Sequence, residues 1–160
     1  MLDYLGIFRA FNDNKIKYIV VGGLAVNLHG IPRTTYDIDL LVEMSDENLK
    51  KYLCMLKSWG FKPKAPVNMK DCLKEENRKN WIKEKNMKAI NFYNDKWAIS
   101  EIDMLIDAPI DYSRAKAGAV NIKAEKVAIP VISIQDLIKM KKISKREQDL
   151  SDITHLKKKL

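Results

Sequence analysis

The fold of this chain is decided by residues 18–43, which read YIVVGGLAVNLHGIPRTTYDIDLLVE. The run at 17–21 is mostly apolar and β-branched, which predicts a strand that is buried on both faces. Two glycines follow it, and the apolar stretch at 23–29 predicts a short helix. After a basic, hydroxyl-rich loop, the alternating run at 37–42 predicts a second strand. The stretch therefore predicts two strands with a turn, a helix and a loop between them.

Two carboxylates lie in the second of these strands. Residues i and i+2 of a strand share a face, roughly 6–7 Å apart, so Asp37 and Asp39 project together while Ile38 and Leu40 point into a core. Two such carboxylates repel each other unless a cation lies between them. Mg²⁺ prefers oxygen ligands and commonly takes one or two carboxylates together with substrate phosphates. Because paired ions about 3.5–4 Å apart can share a carboxylate, the pair suits a two-metal site.

The glycines and the loop supply groups that suit phosphate. Gly22 and Gly23 let the backbone turn sharply and approach a ligand closely, and the helix after them would direct its N-terminal amides at an anion. Arg33, Thr34 and Thr35 carry donors suited to phosphate oxygens. Taken singly, a Gly-Gly turn is also a plain connector, and a D-x-D pair is also a solvated surface feature. The specific signal is the order of apolar strand, Gly-Gly, spacer and D-I-D.

This order resembles the nucleotidyltransferase superfamily related to DNA polymerase β. The superfamily pattern is hG[GS], a spacer, and then Dh[DE]h, which the runs at 21–23 and 37–40 match. Within the superfamily, HGIPRTTYDIDLLVE looks most like the small bacterial and archaeal group that includes the AbiEii-type, toxin-related transferases. The serine of the G-S form is Gly23 in this chain. The resemblance therefore implies that a backbone amide, aided by Thr34 or Thr35, contacts the phosphate there.

A third carboxylate is expected from a strand farther along the chain. Residues 88–94 and 97–106 alternate as strands and predict a hairpin. In the second run Glu101 and Asp103 share a face. The resemblance implies a single Asp between hydrophobic residues at this place, which selects Asp103 as a ligand of the second metal that helps to deprotonate the acceptor hydroxyl. On the pattern alone, a surface carboxylate paired with a lysine is the alternative.

The C-terminal stretch carries the last candidate residues. The run L-I-K-M-K at 137–141, followed by Arg146, Asp149 and Asp152, resembles a signature of the AbiEii-like group. The resemblance implies that Lys141 lies at the triphosphate, with an acidic residue of the last helix nearby. Lys141 would offer a cation to developing phosphate charge. Asp149 and Asp152, three apart on one helical face, would orient Lys141 or Arg146, or form ion pairs within the helix.

The remaining segments predict packing elements. Apolar residues recur at helical spacing in 2–11, and Ser45 is expected to cap a helix that ends at Gly60. Shorter patterns predict four further elements: a helix within 71–85, a helix at 109–118 that begins with its proline, short strands within 119–132, and a helix at 137–143.

The segment 62–88 is polar and highly charged. It is interpreted as a mobile flap or acceptor-recognition element, or as a solvated insertion between two strands. In this segment Arg78 and Lys79 are candidate contacts to nucleic acid. Nothing in the pattern decides between these readings.

Bulk properties narrow the class of protein. The length of 160 residues predicts one domain, 1–160, with a helical segment at 133–160. No apolar run approaches the roughly 20 residues that a bilayer-spanning helix needs, and the N-terminus has no signal-peptide pattern. We therefore expect a cytoplasmic protein without a membrane partner, in which Cys54 and Cys72 are reduced thiols. The net charge of +8 favours an anionic partner: nucleotide, nucleic acid or acidic protein.

Together these features predict an α/β palm, which is a mixed twisted sheet flanked by helices with the carboxylates on its open face. The expected activity is transfer of a nucleoside monophosphate from a triphosphate to an acceptor hydroxyl, with two Mg²⁺ ions held by Asp37, Asp39 and Asp103. Three functions stay open. In the first, the acceptor is RNA, such as a tRNA end, or a protein in a toxin–antitoxin system. In the second, the acceptor is a small hydroxylated molecule, as in antibiotic-modifying enzymes. In the third, the chain is a binding module, such as the antitoxin partner of a toxin.

Overall fold

The computed structural model describes residues 3–160, which form seven strands and seven α-helices. The strands are β1 (Tyr18–Val21), β2 (Asp37–Val42), β3 (Lys62–Pro63), β4 (Ala89–Tyr93), β5 (Glu101–Leu105), β6 (Val120–Ala124) and β7 (Val127–Val131). The helices are α1 (Tyr4–Asp13), α2 (Gly22–Leu28), α3 (Asp46–Ser58), α4 (Glu75–Lys85), α5 (Tyr112–Gly118), α6 (Ile134–Ser144) and α7 (Glu147–Lys157), and a 3₁₀-helix covers Met69–Leu73. The predicted α/β class is confirmed. The prediction of a single domain stays a prediction.

Within residues 3–160 the strands form one mixed sheet in the order β3-β4-β5-β2-β1-β7-β6. β1 pairs antiparallel with β2 and parallel with β7, and β2 pairs parallel with β5. The predicted hairpin partner β4 lies antiparallel to β5. The strands that carry the sequence motifs are therefore adjacent at the centre of the sheet.

The two faces of the central strands differ in polarity. Ile38 and Leu40 of β2 and Ile102 and Met104 of β5 are fully buried on one face. The large rings of α1, α3 and β4 lie in this core: Phe11 is 5.8 Å from Tyr52, and Tyr52 is 6.2 Å from Phe92, measured between ring centroids. The alternation of a strand then places the aspartates of β2 and β5 on the opposite face.

Local signals set the ends of α3 as predicted. The side chain of Ser45 accepts a hydrogen bond from the backbone N–H of Asn48 at the N-terminus. At the C-terminus Gly60 has a φ of +90°, and the N–H of Phe61 donates to the carbonyl of Leu56 at 2.9 Å. This is the Schellman arrangement, which favours glycine because a Cβ is strained at positive φ.

Some of the predicted element boundaries are wrong. The helix expected from 109 begins at Tyr112, because Asp111 caps it by accepting from the N–H of Arg114. The second strand of the hairpin begins at Glu101, not at 97, because Asn94 holds a turn: its side chain donates to the carbonyl of Trp59 and accepts from the N–H of Lys96. The helix predicted at 2–11 is present from Tyr4, and residue 2 lies outside the described residues.

The C-terminal elements follow the predicted order, and α6 is longer than the helix predicted at 137–143. β6 and β7 form a hairpin whose two turn residues, Glu125 and Lys126, both have positive φ. Ser133 caps α6 by accepting from the N–H of Asp136. Lys145, whose backbone is in the left-handed conformation, ends α6. The next helix, α7, packs against α6.

The polar segment 62–88 is attached to the body of the protein. Its helix α4 begins at Glu75 rather than at 71. The predicted nucleic-acid contact at Arg78 is wrong, because this side chain is buried and donates to the carbonyls of Cys72 and Leu73 at 2.8 Å. Lys79 is exposed and pairs with Glu75 one helical turn away. The flap and acceptor-recognition roles stay predictions.

None of the helices formed by residues 3–160 is long and apolar enough to cross a bilayer.

Candidate active site

Three carboxylates converge on the polar face of the sheet. Asp37 and Asp39 project from β2 and Asp103 from β5, and one oxygen of each lies within 4.8 Å of the other two. Asp39 and Asp103 are directly opposite each other in the parallel β2–β5 register. The structure therefore brings together the three residues that the sequence analysis proposed as metal ligands. Their roles in metal binding and catalysis stay predictions.

The electrostatics of this cluster favour a cation. Burial, followed by the neighbouring charges of Asp37 and Asp103, raises the pKa of Asp39 to about 8. Burial is also the largest cause that raises the pKa of Asp103. A bound divalent cation would relieve this repulsion, and a set of carboxylate oxygens suits a hard ion such as Mg²⁺. The residues present therefore fit the metal that the sequence analysis expects.

Glu101 shares a face with Asp103 but has a different environment. It lies opposite Asp37 in the register and accepts hydrogen bonds from Lys64 at 3.3 Å and from Asn91 at 3.1 Å. It is outside the group of three carboxylates. This geometry agrees with the choice of Asp103 as the third carboxylate.

Asn91 is a site residue that the sequence reasoning missed. Its amide donates to Asp103 Oδ1 at 2.6 Å and also to Glu101, from the register position opposite Asp103 on β4. It therefore orients the carboxylate of Asp103 from the second neighbouring strand. The available signal was the alternation of residues 89–93, which places a polar Asn91 between the buried Ile90 and Phe92.

The two motif glycines lie against different functional side chains. Gly22 has a φ of +66°, and a Cβ built on it would overlap the carboxylate of Asp39. A Cβ on Gly23 would come within 3.0 Å of the Arg33 guanidinium and of Thr35 Oγ1. The absence of both side chains lets β1 and α2 approach the carboxylates and the basic loop closely.

The basic loop lies beside the carboxylates. Thr35 Oγ1 donates to Asp37 Oδ1 at 3.3 Å, and the backbone N–H of Arg33 donates to Asn27 of α2. The Arg33 guanidinium donates to Asp152 of α7 at 2.8 Å. Thr34 and Thr35 line the same cavity as Asp37. The loop is thus held between α2 and the C-terminal helix.

Lys141 is buried between two carboxylates. Its ammonium donates to Asp149 at 3.2 Å and to Asp152 at 2.8 Å, and the residue is only 4% exposed. Arg146 Nε also donates to Asp149 at 3.0 Å. Both alternatives left open by the sequence are present: the aspartates hold Lys141 from the neighbouring helix, and Asp149 pairs with Arg146 three residues before it. The predicted contact of Lys141 with a triphosphate stays a prediction.

The charges around Asp149 keep it ionised. Burial opposes the charged form, but hydrogen bonds from Ser144, Arg146 and Lys141 outweigh burial and lower its pKa to about 2. The pKa of Arg146 is raised, first by its hydrogen bond to Asp149 and also by the charges of Asp39 and Asp37. Arg146 therefore connects the C-terminal helices electrostatically with the carboxylates of β2.

Two cavities meet at Asp39 and Arg146, which line both of them. The first, of about 450 Å³, is mainly polar and is bounded by the glycine turn, the basic loop and the carboxylates of β2. The second, of about 510 Å³, is mainly apolar and opens beside Gly22. Its walls include six apolar residues: Val21, Leu105, Pro109, Leu137, Met140 and Ile143. A charged ligand and an apolar group could therefore bind in separate cavities that both border Asp39.

His29 does not line either cavity. His29 lies at the C-terminus of α2, and its Nε2 is 2.7 Å from the carbonyl oxygen of Ile132. This contact joins α2 to the segment after β7.

The chain is similar to known proteins in sequence and in structure. Residues 9–157 match the family described as "Nucleotidyltransferase of unknown function (DUF6036)". The lincomycin-bound crystal structure of the lincosamide antibiotic adenylyltransferase LnuA is 18% identical, with a TM-score of 0.63 over 96% of this chain and 94% of that one. TM1012 of Thermotoga maritima, assigned provisionally as a nucleotidyltransferase, is 16% identical, with a TM-score of 0.53 over 95% and 93%. No curated protein sequence matches the chain. At these identities the solved structures establish the fold.

Proposed function

The chain belongs to the nucleotidyltransferase family described as DUF6036, and from this premise we propose that it transfers a nucleoside monophosphate from a nucleoside triphosphate to an acceptor hydroxyl, with Mg²⁺ as cofactor. Membership of the nucleotidyltransferase superfamily, predicted from the sequence, is confirmed. The predicted closeness to the AbiEii-type group stays a prediction. The observation that carries the proposal is the convergence of three carboxylates from β2 and β5 on one point.

Asp37, Asp39 and Asp103 are the proposed metal ligands. Their oxygens are close enough together to share a cation, and their mutual repulsion and burial disfavour the empty, fully ionised cluster. Mg²⁺ held by these residues would neutralise developing phosphate charge and would favour ionisation of an attacking hydroxyl. Asn91 keeps Asp103 oriented through its hydrogen bond.

The proposed reaction forms one bond and breaks another at the α-phosphorus. The acceptor oxygen bonds to the α-phosphorus, the bond from that phosphorus to the bridging oxygen of the β-phosphate breaks, and pyrophosphate leaves. Asp103 is the proposed acceptor of the proton from the hydroxyl. No change of oxidation state is involved, and the products are the nucleotidylated acceptor, pyrophosphate and a proton.

The polar cavity is the proposed triphosphate site. Gly22 and Gly23 give close access to the backbone, and Arg33, Thr34 and Thr35 provide donors for phosphate oxygens. A charged group bound there lies next to the carboxylates. This position is the one required for an α-phosphate that reacts at the metal site.

The apolar cavity favours a small hydroxylated molecule as acceptor. Its volume of about 510 Å³ is typical of sites for drug-sized ligands, and its apolar walls suit a hydrophobic ring system better than a nucleic-acid backbone. LnuA, which shares the fold, is an antibiotic adenylyltransferase. An acceptor of that general class, with a hydroxyl directed at Asp39, is therefore the first candidate.

RNA is the second candidate acceptor, and the net charge of +8 favours it. A role in a toxin–antitoxin system is part of this second proposal. Growth arrest on expression, abolished by Asp37→Ala, would support RNA or protein as the acceptor. Antibiotic resistance without arrest would support the small molecule. Tight co-purification with a neighbouring gene product, unchanged by carboxylate substitutions, would support a binding module instead.

The decisive experiment incubates the protein with each α-labelled triphosphate, Mg²⁺ and cell lysate. The labelled material is then separated into RNA, protein and small-molecule fractions. Label in any fraction that disappears with Asp39→Ala supports the transferase. Equal labelling by wild type and Asp39→Ala would contradict the proposed site.

A further inference from the structure

A buried ion cluster joins the two C-terminal helices. It consists of Lys141 from α6 and Asp149 and Asp152 from α7, and these three residues are 4%, 1% and 2% exposed. Lys141 bridges the two aspartates, and Ser144 also donates to Asp149. Buried charges of this kind need partners, because an unpaired one is strongly unfavourable. The two aspartates take two of the three ammonium hydrogens of Lys141, and the residue is only 4% exposed, so its charge is matched within the protein.

Each aspartate of the cluster holds one arginine. Asp152 accepts from the Arg33 guanidinium at 2.8 Å, and Asp149 accepts from Arg146 Nε at 3.0 Å. Both arginines line the polar cavity, together with Asp37 and Asp39. The aspartates of α7 therefore hold two cations at the wall of the cavity that contains the carboxylates: Arg33 from the loop before β2 and Arg146 from the start of α7.

Both arginines keep donors that no protein group uses. Among the described residues, no hydrogen bond is present from the two terminal amino groups of Arg146, and its side chain is 79% exposed. Arg33 uses Nη1 for Asp152, but within residues 3–160 no hydrogen bond from its Nη2 is present, and its side chain is 21% exposed. A guanidinium that is held by a carboxylate on one edge and open on another is suited to bidentate recognition of phosphate oxygens.

We propose that Arg33 and Arg146 form a clamp for the polyphosphate group of the substrate, and that Lys141, Asp149 and Asp152 are positioning residues that hold the clamp without touching the ligand. The proposal rests on the proposed function, because it concerns the same site. It replaces a direct phosphate contact by Lys141 with an indirect role. Two arginines and one lysine against two aspartates leave one positive charge, which suits an anion bound opposite the metal ligands.

The test measures binding of inorganic tripolyphosphate by isothermal titration calorimetry at a fixed Mg²⁺ concentration, without any transferable nucleotide. Each of Arg33→Gln and Arg146→Gln is expected to weaken binding about tenfold or more, because each removes charge-assisted hydrogen bonds. Arg9→Gln removes the same charge from an exposed position of α1 that forms no ion pair with any of residues 3–160, and it should bind as the wild type does.

Positioning is tested by double-mutant cycles. Asp152→Asn should weaken tripolyphosphate binding in the wild type but not further in Arg33→Gln, and Asp149→Asn should do the same with Arg146→Gln. Lys141→Gln should add nothing once both arginines are replaced. Additive losses in these cycles would overturn the positioning role. If a cluster variant fails to fold by circular dichroism, the two arginine variants, whose side chains reach the surface, carry the test.

The outcomes separate the clamp from the proposed function. If the wild type transfers label and both arginine variants bind tripolyphosphate as tightly as it does, the clamp is wrong and the transferase stands. If the arginine variants lose binding while no triphosphate is ever transferred by the wild type, the clamp stands and the transferase is wrong.

Discussion

Gly22 and Asp39 lie so close together that a single added methyl group at Gly22 would overlap the Asp39 carboxylate. Their neighbours explain the contact: Val21 at the end of β1 is the register partner of Asp39 on β2. The glycine turn therefore begins directly beside the carboxylate of Asp39, whose pKa is raised to about 8 by burial and by the neighbouring carboxylates. The turn and the D-x-D pair form one structural unit.

Gly22→Ala is expected to lose transfer and to destabilise the protein by about 2 kcal/mol or more, because it adds strain at positive φ to a displacement of Asp39. Urea unfolding and the labelled-triphosphate assay measure the two effects. Gly118→Ala is the matched control, since a Cβ there makes only ordinary contacts of 3.5 Å or more. Equal stability of the two variants would show that the turn tolerates a side chain.

Asp39→Asn is expected to abolish transfer while leaving the metal-free protein as stable as the wild type, or about 1 kcal/mol more stable, because it removes repulsion from Asp37 and Asp103. Added Mg²⁺ should raise the melting temperature of the wild type but not of this variant. Thermal unfolding with and without Mg²⁺ measures both effects. Asp95→Asn, at an exposed turn position, should respond to Mg²⁺ as the wild type does.

Asn91→Ala is expected to raise the Mg²⁺ concentration for half-maximal transfer by about tenfold, because groups that orient a metal ligand typically contribute that much to affinity. The measurement is a Mg²⁺ titration of the rate at saturating triphosphate. Asn121→Ala removes the same side chain from an exposed position of β6. An unchanged Mg²⁺ dependence in Asn91→Ala would mean that Asp103 needs no support from β4.

Asp149 is expected to make the protein acid-sensitive below pH 4. Its folded-state pKa of about 2 lies below the ordinary value of 3.8, so its contribution is present above pH 4 and is lost as the pH falls towards 2. The shift corresponds to about 2 kcal/mol. Urea unfolding of wild type and Asp149→Asn between pH 2 and pH 5 should give a stability difference that shrinks with decreasing pH. A difference independent of pH would contradict the lowered pKa.

Much of the site followed from local pattern. The alternation of β2 put Asp37 and Asp39 on one face and Ile38 and Leu40 on the other, because side chains of a strand alternate whatever the strand pairs with. The cap at Ser45 was also readable, because its partner, the N–H of Asn48, is only three residues away. The start of the helix predicted from 109 is also set by a local signal, because Asp111 caps it and the helix begins at Tyr112.

The parts of the site that the sequence did not predict depend on contacts between distant segments of the chain. Arg33 and Asp152 are separated by 119 positions in the chain, and Asn91 reaches Asp103 only through the β4–β5 register. No periodicity within a segment encodes such a distance.

The sequence by itself determined which residue types share a face and where most elements begin, because backbone sterics and side-chain alternation act over a few residues. Only the tertiary structure decided that Asp103 lies opposite Asp39, that Gly22 lies against Asp39, and that Lys141 is enclosed by two aspartates. The reason is physical: strand register and helix docking are selected by packing and charge pairing across the whole core. These interactions exist only between segments that are already in contact, so no single segment encodes them.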